Sequence, residues 1–317
     1  MSQRLSFHLK TTNQQHPKQY GFKEGASIDH ALDSLLSTLE AHRRNKKHVA
    51  VASVDTKGAF DNLKYSSINS HLVNSRCPQN IQKLSSHLLQ DRRIVIPTNE
   101  GVAQHIQTTG CPQGSCSGSA LWNLVADEAL KQQYPAGTLI QAFAGDFLSI
   151  VAGDSERKLG AAASEALKIF ELWSDTHELQ ISREKTHFPQ LGNLKRGPSI
   201  FWGDRRVKRV PHLKYLGVHL DSKLNWLHHL IQKGAKALQH PRQLTKLAGC
   251  TWGISPLHRE QQYRSVTERR MAHGVGTFHT GCRLSSTKSK DRSSSISWEL
   301  IEPRPQQPSG PSRGLCL

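Results

Sequence analysis

Thr138-Leu139-Ile140-Gln141-Ala142-Phe143-Ala144-Gly145-Asp146-Phe147-Leu148-Ser149-Ile150-Val151-Ala152 decides how the rest of this chain is read. Two apolar runs, 138–144 and 147–152, flank Gly145-Asp146, and a two-residue linker containing glycine between such runs is the signature of a β-hairpin. Immediately downstream, Leu159, Ala163, Ala166, Leu167, Phe170 and Trp173 share one side of a helical wheel, which predicts an amphipathic helix from about Glu156 to Thr176. Upstream, His48-Val49-Ala50-Val51-Ala52-Ser53-Val54-Asp55 is built from β-branched and small residues. It reads as a strand buried on at least one face, with Asp55 at its C-terminal end. Ile28, Ala31, Leu32, Leu35, Leu36 and Leu39 predict a helix before that strand, ending in a basic last turn at Arg43 and Arg44. Between strand and hairpin, Gly110-Cys111-Pro112-Gln113-Gly114-Ser115 reads as a loop. It opens a helix carrying Ala120, Leu121, Leu124 and Val125, with Ser115 or Ser117 as its cap. The order helix, strand, helix, hairpin, helix predicts an α+β fold around an antiparallel sheet.

The flanks carry weaker patterns. The segment from Met1 to about Tyr20 is polar and reads as an irregular start. Arg93-Ile94-Val95-Ile96-Pro97 reads as a short strand closed by proline, and a turn-rich stretch follows it. Beyond Ile181 come a basic loop (Lys195, Arg196, Arg205, Arg206, Lys208, Arg209), a short strand from Leu213 to Val218 and basic helical sequence from about Trp226 to Arg270. From Val275 onward serine and proline dominate and apolar periodicity is lost, which predicts a disordered tail.

Composition narrows the function classes. The chain has 317 residues, 42 Lys+Arg against 25 Asp+Glu, and a formal net charge of +17. Only 36% of residues are hydrophobic and the mean hydropathy is -0.54, so the core is modest for the length. No apolar run reaches the roughly 18 residues that cross a bilayer. Met1-Ser2-Gln3-Arg4-Leu5 lacks the apolar block of a secretory signal, so an intracellular setting is expected. None of the six cysteines forms a C-x-x-C pair, and the eighteen histidines are not paired with cysteine at ligand spacing. The basic excess points to a polyanionic partner, nucleic acid before membrane. Six basic residues against three acidic ones give the tail +3, leaving +14 on residues 1–274, so the charge belongs to the folded part.

The carboxylates supply the chemistry. Asp55 ends one strand and Asp146 sits in the hairpin turn; as sheet neighbours they converge as oxygen ligands for Mg²⁺ or Mn²⁺. Two such ions, roughly 3.5–4 Å apart, clamp the attacking and leaving oxygens of phosphoryl transfer.

In this context Asp55-Thr56-Lys57-Gly58-Ala59-Phe60-Asp61, the 110–115 loop with Leu121-Trp122-Asn123, and Phe143-Ala144-Gly145-Asp146 resemble the first three palm motifs of reverse transcriptases. Leu179 to Thr186 is similar to the fourth, and Lys214-Tyr215-Leu216-Gly217-Val218 to the primer-grip hairpin. The wording around Tyr20-Gly21-Phe22 and Thr251-Trp252-Gly253-Ile254-Ser255-Pro256 is similar to non-LTR (LINE-type) retrotransposons, in particular the type-one elements that insert in ribosomal DNA. The similarity spans about Lys18 to Gly274 with the motifs in order.

The resemblance implies a polymerase right hand: partial fingers at 1–47, a palm at 48–220, a thumb-like basic helical region at 221–274 and the tail at 275–317. It implies an RNA template, a DNA primer, deoxynucleoside triphosphates and two Mg²⁺ (or Mn²⁺) ions, no membrane, and the nucleus as location. Asp55 and Asp146 become the catalytic metal ligands, and Lys185 the proton donor near the departing pyrophosphate. Phe60 becomes the steric gate against a ribose 2′-OH, since a bulky ring there denies the extra oxygen space and hydration. Pro112, Gln113 and Gly114 would lie against the incoming nucleotide, and Tyr215, Leu216 and Gly217 would hold the primer end.

The chain departs from the family's text at the third motif, where Gly145 stands in place of the first of two adjacent aspartates. A lost anionic ligand predicts impaired polymerisation, on the order of three decades in rate. Ser119 replaces a usual proline, a milder change. The expected surroundings, complete fingers and an endonuclease upstream and a Cys/His knuckle downstream, are not found in the sequence, and the tail has the look of out-of-frame translation. The alternative to an enzyme is a catalytically dead nucleic-acid-binding remnant.

Overall fold

A single long strand, β1 (His48–Lys57), forms the axis of the computed structural model, which describes residues 1–111, 114–191, 197–221, 224, 226–247, 253–269 and 273. The chain divides into two units, Met1–Gly281 and Cys282–Leu317, and every described residue belongs to the first. The expected tail at 275–317 lies outside the described residues. Before β1 come helices α1 (Ser2–Thr11) and α2 (Ile28–Arg44). After it come α3 (Ala59–Asn62), α4 (Tyr65–Asn74), α5 (Gln79–Leu89), the hairpin β2 (Arg93–Thr98) and β3 (Gly101–Ile106), and α6 (Cys116–Lys131). A second hairpin, β4 (Thr138–Phe143) and β5 (Asp146–Gly153), leads into α7 (Glu156–Thr176). Short strands follow: β6 (Gln180–Ile181), β7 (His187–Phe188), β8 (Gln190–Leu191), β9 (Phe201–Trp202), β10 (Arg205–Arg206) and β11 (Lys208–Arg209). A third hairpin, β12 (His212–Tyr215) and β13 (Val218–Asp221), precedes α8 (Leu227–Leu247) and α9 (Pro256–Gln262).

The central sheet runs β11-β7-β1-β5-β4, with β6 and β8 also pairing β1. β1 and β5 are antiparallel along the whole of β5, from His48 opposite Gly153 to Asp55 opposite Asp146. Side chains alternate along a strand, so the apolar run of β1 feeds two cores. Ala50, Ala52 and Val54 enter one with Trp122 and Val125 of α6 and Phe170 and Trp173 of α7. Val49 and Val51 enter the other with α2 and the β12–β13 hairpin, through Leu32, Leu35, Leu213 and Tyr215. Burial on both faces is why this strand has no polar alternation. Helices α2, α6 and α7 start where the sequence offers caps: the hydroxyls of Ser27, Ser115 and Ser155 accept from the backbone N–H of His30, Gly118 and Lys158.

Several expectations need correction. The turn of the β4–β5 hairpin is Ala144-Gly145, one residue earlier than read from the sequence, and Asp146 is the first residue of β5, paired with Phe143. Ala144 takes the left-handed conformation, φ +57°. Its apolar side chain counts as strand in a hydrophobicity pattern, while tertiary contacts hold it in the turn. Residues 2–11 are helical rather than irregular, because Leu5 and Leu9, one turn apart, are both buried. The segment after Pro97 is not merely turn-rich: 101–106 pairs back on 93–98 as an exposed hairpin. The strand expected at 213–218 is the hairpin β12–β13, turning at Leu216-Gly217.

Candidate active site

Asp55 and Asp146 are direct cross-strand partners. Opposed residues of an antiparallel pair project from the same face with Cβ atoms about 4.5–5.5 Å apart, so both carboxylates point to one side of the sheet edge. By alternation it is the side of Val51, Leu148 and the β12–β13 hairpin. The protein beneath Asp146 limits its hydration although its side chain is exposed by area, and the Asp55 carboxylate adds like-charge repulsion. Both raise the Asp146 carboxyl above the ordinary range.

Lys185 joins them. Strand β6 pairs with Thr56 and Lys57, and the Ser182 N–H donates to the Asp55 carbonyl at 2.9 Å. The turn after β6 is thereby fixed beside β1, and Lys185 Nζ donates to Asp55 Oδ2 at 2.9 Å. That hydrogen bond and the Asp55 charge raise the lysine's pKa and keep it an ammonium.

Phe60 follows on α3, half-buried, with its ring edge-to-face to Phe22 at 5.7 Å and tilted on Trp122 at 5.4 Å between centroids. Two rings thus restrict its rotamer. The stem of the glycine-rich loop is bonded to the same segment: the N–H of Cys111 donates to the Phe60 carbonyl at 2.6 Å and that of Gly110 to the Leu63 carbonyl at 2.8 Å. A Cβ at Gly110, φ +93°, would fall 2.8 Å from the Asp61 carbonyl, so only glycine permits this approach. Gly114 ends the loop with φ +75°, while Pro112 and Gln113 lie outside the described residues.

Of the three expected primer-grip residues, Tyr215 is 2% exposed. Its hydroxyl accepts from Gln141 Nε2 at 3.2 Å, and the same amide donates to the Ala31 carbonyl at 3.1 Å. Tyr215 is therefore an internal anchor tying β12 to β4 and α2, and burial raises its hydroxyl pKa. Leu216 (φ +47°) and Gly217 (φ +80°) form the partly exposed tip, both in the left-handed region as a tight two-residue hairpin requires.

Residues that sequence reasoning gave no role hold the turn next to Asp146. Trp122 Nε1 donates to the Ala144 carbonyl at 3.0 Å and Asn123 Nδ2 to the Gly21 carbonyl at 2.8 Å. Gly21 lies so close that a Cβ there would sit 2.0 Å from the Ala144 nitrogen. The strap 18–22 is laced to β4 by Tyr20 N–H to Ala142 O and Ala142 N–H to Lys18 O, both 2.9 Å. The available signal was the clustering of Tyr20-Gly21-Phe22 and Trp122-Asn123 among the family-like words. By contrast, a Cβ at Gly145 would meet Ala59 Cβ at 3.4 Å and Trp122 Cζ2 at 4.0 Å, ordinary contacts. Steric space does not demand glycine there.

Comparison with known proteins places this geometry. The family model described as reverse transcriptase (RNA-dependent DNA polymerase) matches residues 1–220. The chain is 30% identical over 262 residues to the 115 kDa protein of the type-1 retrotransposable element R1DM of Drosophila melanogaster, covering 82% of this chain and 25% of that protein. It is 26% identical over 272 residues to the Pol polyprotein of a type-1 element R1 of Bradysia coprophila, covering 85% of this chain and 27% of that protein. It thus spans about a quarter of the length of these relatives. Among solved structures, telomerase from Candida tropicalis in complex with a telomeric RNA fragment superposes with a TM-score of 0.52. That match has 12% identity and covers 71% of this chain and 35% of that one, a likeness of fold. No helix among the described residues is long and apolar enough to cross a membrane. Reverse transcriptases as a family use divalent metal ions and bind a nucleic-acid template. With the family model covering more than half of its length, this chain belongs to the reverse transcriptases, as a non-LTR retrotransposon domain with the α+β polymerase palm fold.

Proposed function

We propose that the chain is the nucleotidyl-transfer core of an RNA-directed DNA polymerase that adds deoxynucleotides to a primer 3′-OH, impaired in this copy by Gly145. The observation that carries this reading is the register pairing of Asp55 with Asp146 on one sheet face. The donor set fits a hard divalent cation: its side-chain ligands are carboxylate oxygens, and a cation would offset the burial and the Asp55 charge that raise the Asp146 carboxyl. Mg²⁺ (or Mn²⁺), two ions, would supply charge stabilisation at the attacking and leaving oxygens. Asp55 and Asp146 would hold them, but Gly145 adds no side-chain oxygen, so the pair is one carboxylate short.

The other residues take roles by position. Phe60, braced by Phe22 and Trp122, presents a fixed ring against the sugar of the incoming nucleotide. Lys185, kept protonated by Asp55, would give its proton to the departing pyrophosphate once nucleotide draws it from Asp55 Oδ2. Gly114 and the loop residues Pro112 and Gln113 would lie along the nucleotide and template base. Tyr215 anchors the hairpin whose tip, Leu216-Gly217, would contact the primer end. In this reading 1–47 are partial fingers, 48–220 the palm and 221–274 a thumb laying lysines and arginines along duplex phosphates. The nucleus is the implied compartment, because an inserting element meets chromosomal DNA there.

The alternative of a nucleic-acid-binding remnant is favoured by Gly145 and by the ammonium of Lys185 lying on Asp55 Oδ2. Extension of a DNA primer on an RNA template with Mg²⁺ or Mn²⁺, by this chain and by Gly145→Asp, separates the two. Weak extension that Gly145→Asp raises supports the impaired polymerase. Binding of primer-template without extension by either protein supports the remnant, and full activity in the unaltered chain refutes the impairment.

A further inference from the structure

Helices α4, α6 and α7 pack on the sheet face of Ala50, Ala52 and Val54, opposite the Asp55–Asp146 pair, and hold a polar cluster the polymerase reading does not use. His71 Nε2, from α4, and His177 Nε2, at the C-cap of α7, each lie 2.8 Å from one oxygen, Oε2 of Glu128 on α6. Behind them stands a single residue one turn before His71. His71 Nδ1 is 2.8 Å from the Ser67 carbonyl oxygen, and His177 Nδ1 is 3.2 Å from the Ser67 hydroxyl. A carbonyl only accepts, so His71 carries its proton on Nδ1 and, when neutral, turns the Nε2 lone pair toward Glu128.

The two Nε2 atoms and Glu128 Oε2 face one another, and protons or a cation can link them. With Nδ1 protonated, His71 meets the Glu128 carboxylate either through a second proton or through a cation, and the His177 ring centroid is 5.2 Å away. One cation in place of those protons would take both nitrogen lone pairs and the carboxylate oxygen at once. The back-side hydrogen bond from an imidazole to a backbone carbonyl is the support that metal-bound histidines usually have. The three donor atoms lie within 4.8 Å of one another, compatible with a shared ion after a small outward relaxation. The His177 side chain is 6% exposed and His71 16%, whereas Glu128 is 40% exposed, so the carboxylate side is open to solvent.

We infer that His71, Glu128 and His177 form a zinc site, with two imidazole nitrogens and one carboxylate oxygen as ligands and water in the fourth position. Two imidazoles select a borderline transition metal over Mg²⁺, which prefers oxygen, so this site and the carboxylate pair differ in the ion they take. Zinc there would staple α4, α6 and the C-terminal end of α7, whose apolar side chains share one core.

The test is calorimetric titration of the full chain with Zn²⁺ near neutral pH in excess Mg²⁺. One strong equivalent is expected, weakened at least tenfold by His71→Gln and by His177→Gln and unchanged by Asp55→Asn. Equal zinc affinity in wild type and both histidine variants, or no saturable uptake by wild type, overturns the assignment. Should a variant fail to fold, zinc-edge X-ray absorption of the loaded wild-type chain decides instead: two imidazoles in the shell support the site, and a shell without imidazole rejects it.

Discussion

Gly145 is a residue whose surroundings leave room for the side chain it lacks. Its backbone is outside the left-handed region, and the nearest atom to an added Cβ is a methyl group at 3.4 Å. Gly145→Asp should therefore fold and raise Mg²⁺-dependent primer extension on the order of 10³-fold, equivalent to about 4 kcal/mol in barrier. Steady-state extension kinetics of the two proteins check this. Phe60 yields a second expectation. Phe60→Val removes the ring held between Phe22 and Trp122 and opens space where a 2′-OH would sit. Discrimination against ribonucleotides should fall by roughly 10- to 200-fold, the range for a pocket contact worth about 1–3 kcal/mol. Competition between labelled rNTP and dNTP, in the Gly145→Asp background, reads it out.

At the scale of elements, the strap 18–22 and helix α6 frame the hairpin turn. Asn123→Ala leaves the Gly21 carbonyl without its buried donor and should cost about 1–3 kcal/mol in urea unfolding. The same join is sensitive to pH. Burial, with Lys131, Lys23 and Lys18 nearby, lowers the His16 pKa to about 4. Burial also raises Asp127, whose carboxylate accepts from the His16 N–H, to about 6. For His16 the unfolded chain takes up the proton first, so its contribution is complete above about pH 6.5 and is lost as the pH falls toward 4. For Asp127 the folded chain holds the proton longer, so its contribution disappears as the pH rises from 3.8 to about 6. The two oppose each other across nearly the same window. Asp127→Asn keeps an oxygen for the His16 N–H and removes the opposing charge. It should raise stability by about 1–3 kcal/mol at neutral pH and steepen its loss on acidification, measured by urea melts across that range.

At the scale of the molecule, the net charge of +17 is a statement about a polyanion. A protein that covers several phosphates releases counterions, and with roughly 6–10 contacts its affinity falls about 10³- to 10⁵-fold between 50 and 200 mM salt. Primer-template binding by this chain, followed by fluorescence anisotropy, should show a steep slope that Asp55→Asn does not flatten. A slope near zero would remove the electrostatic groove from both readings of function.

Local pattern was enough for β1, the β4–β5 hairpin and helices α2, α6 and α7, because each has a long apolar repeat or a capping serine that needs no distant partner. The resemblance to the palm motifs singled out Asp55, Phe60, Asp146 and Lys185 as one set and marked Gly145 as its interruption. Pattern was not enough for α1, whose two leucines become a helix face only where a core receives them. Nor could it position the turn: Ala144 reads as strand, and the Trp122 indole and the Gly21 backbone hold it in a left-handed turn. Tyr215 looked like a contact for nucleic acid and is a buried anchor. Glu128 is bonded to His71 and His177, which are distant in sequence, so no spacing rule connects them. The sequence by itself determined the architecture and the acid pair, since these follow from side-chain identity and short-range periodicity, while the missing acid is legible only against the family's motif. Only the tertiary structure decided which groups meet, because those contacts join residues far apart along the chain and depend on which face each helix turns to the sheet.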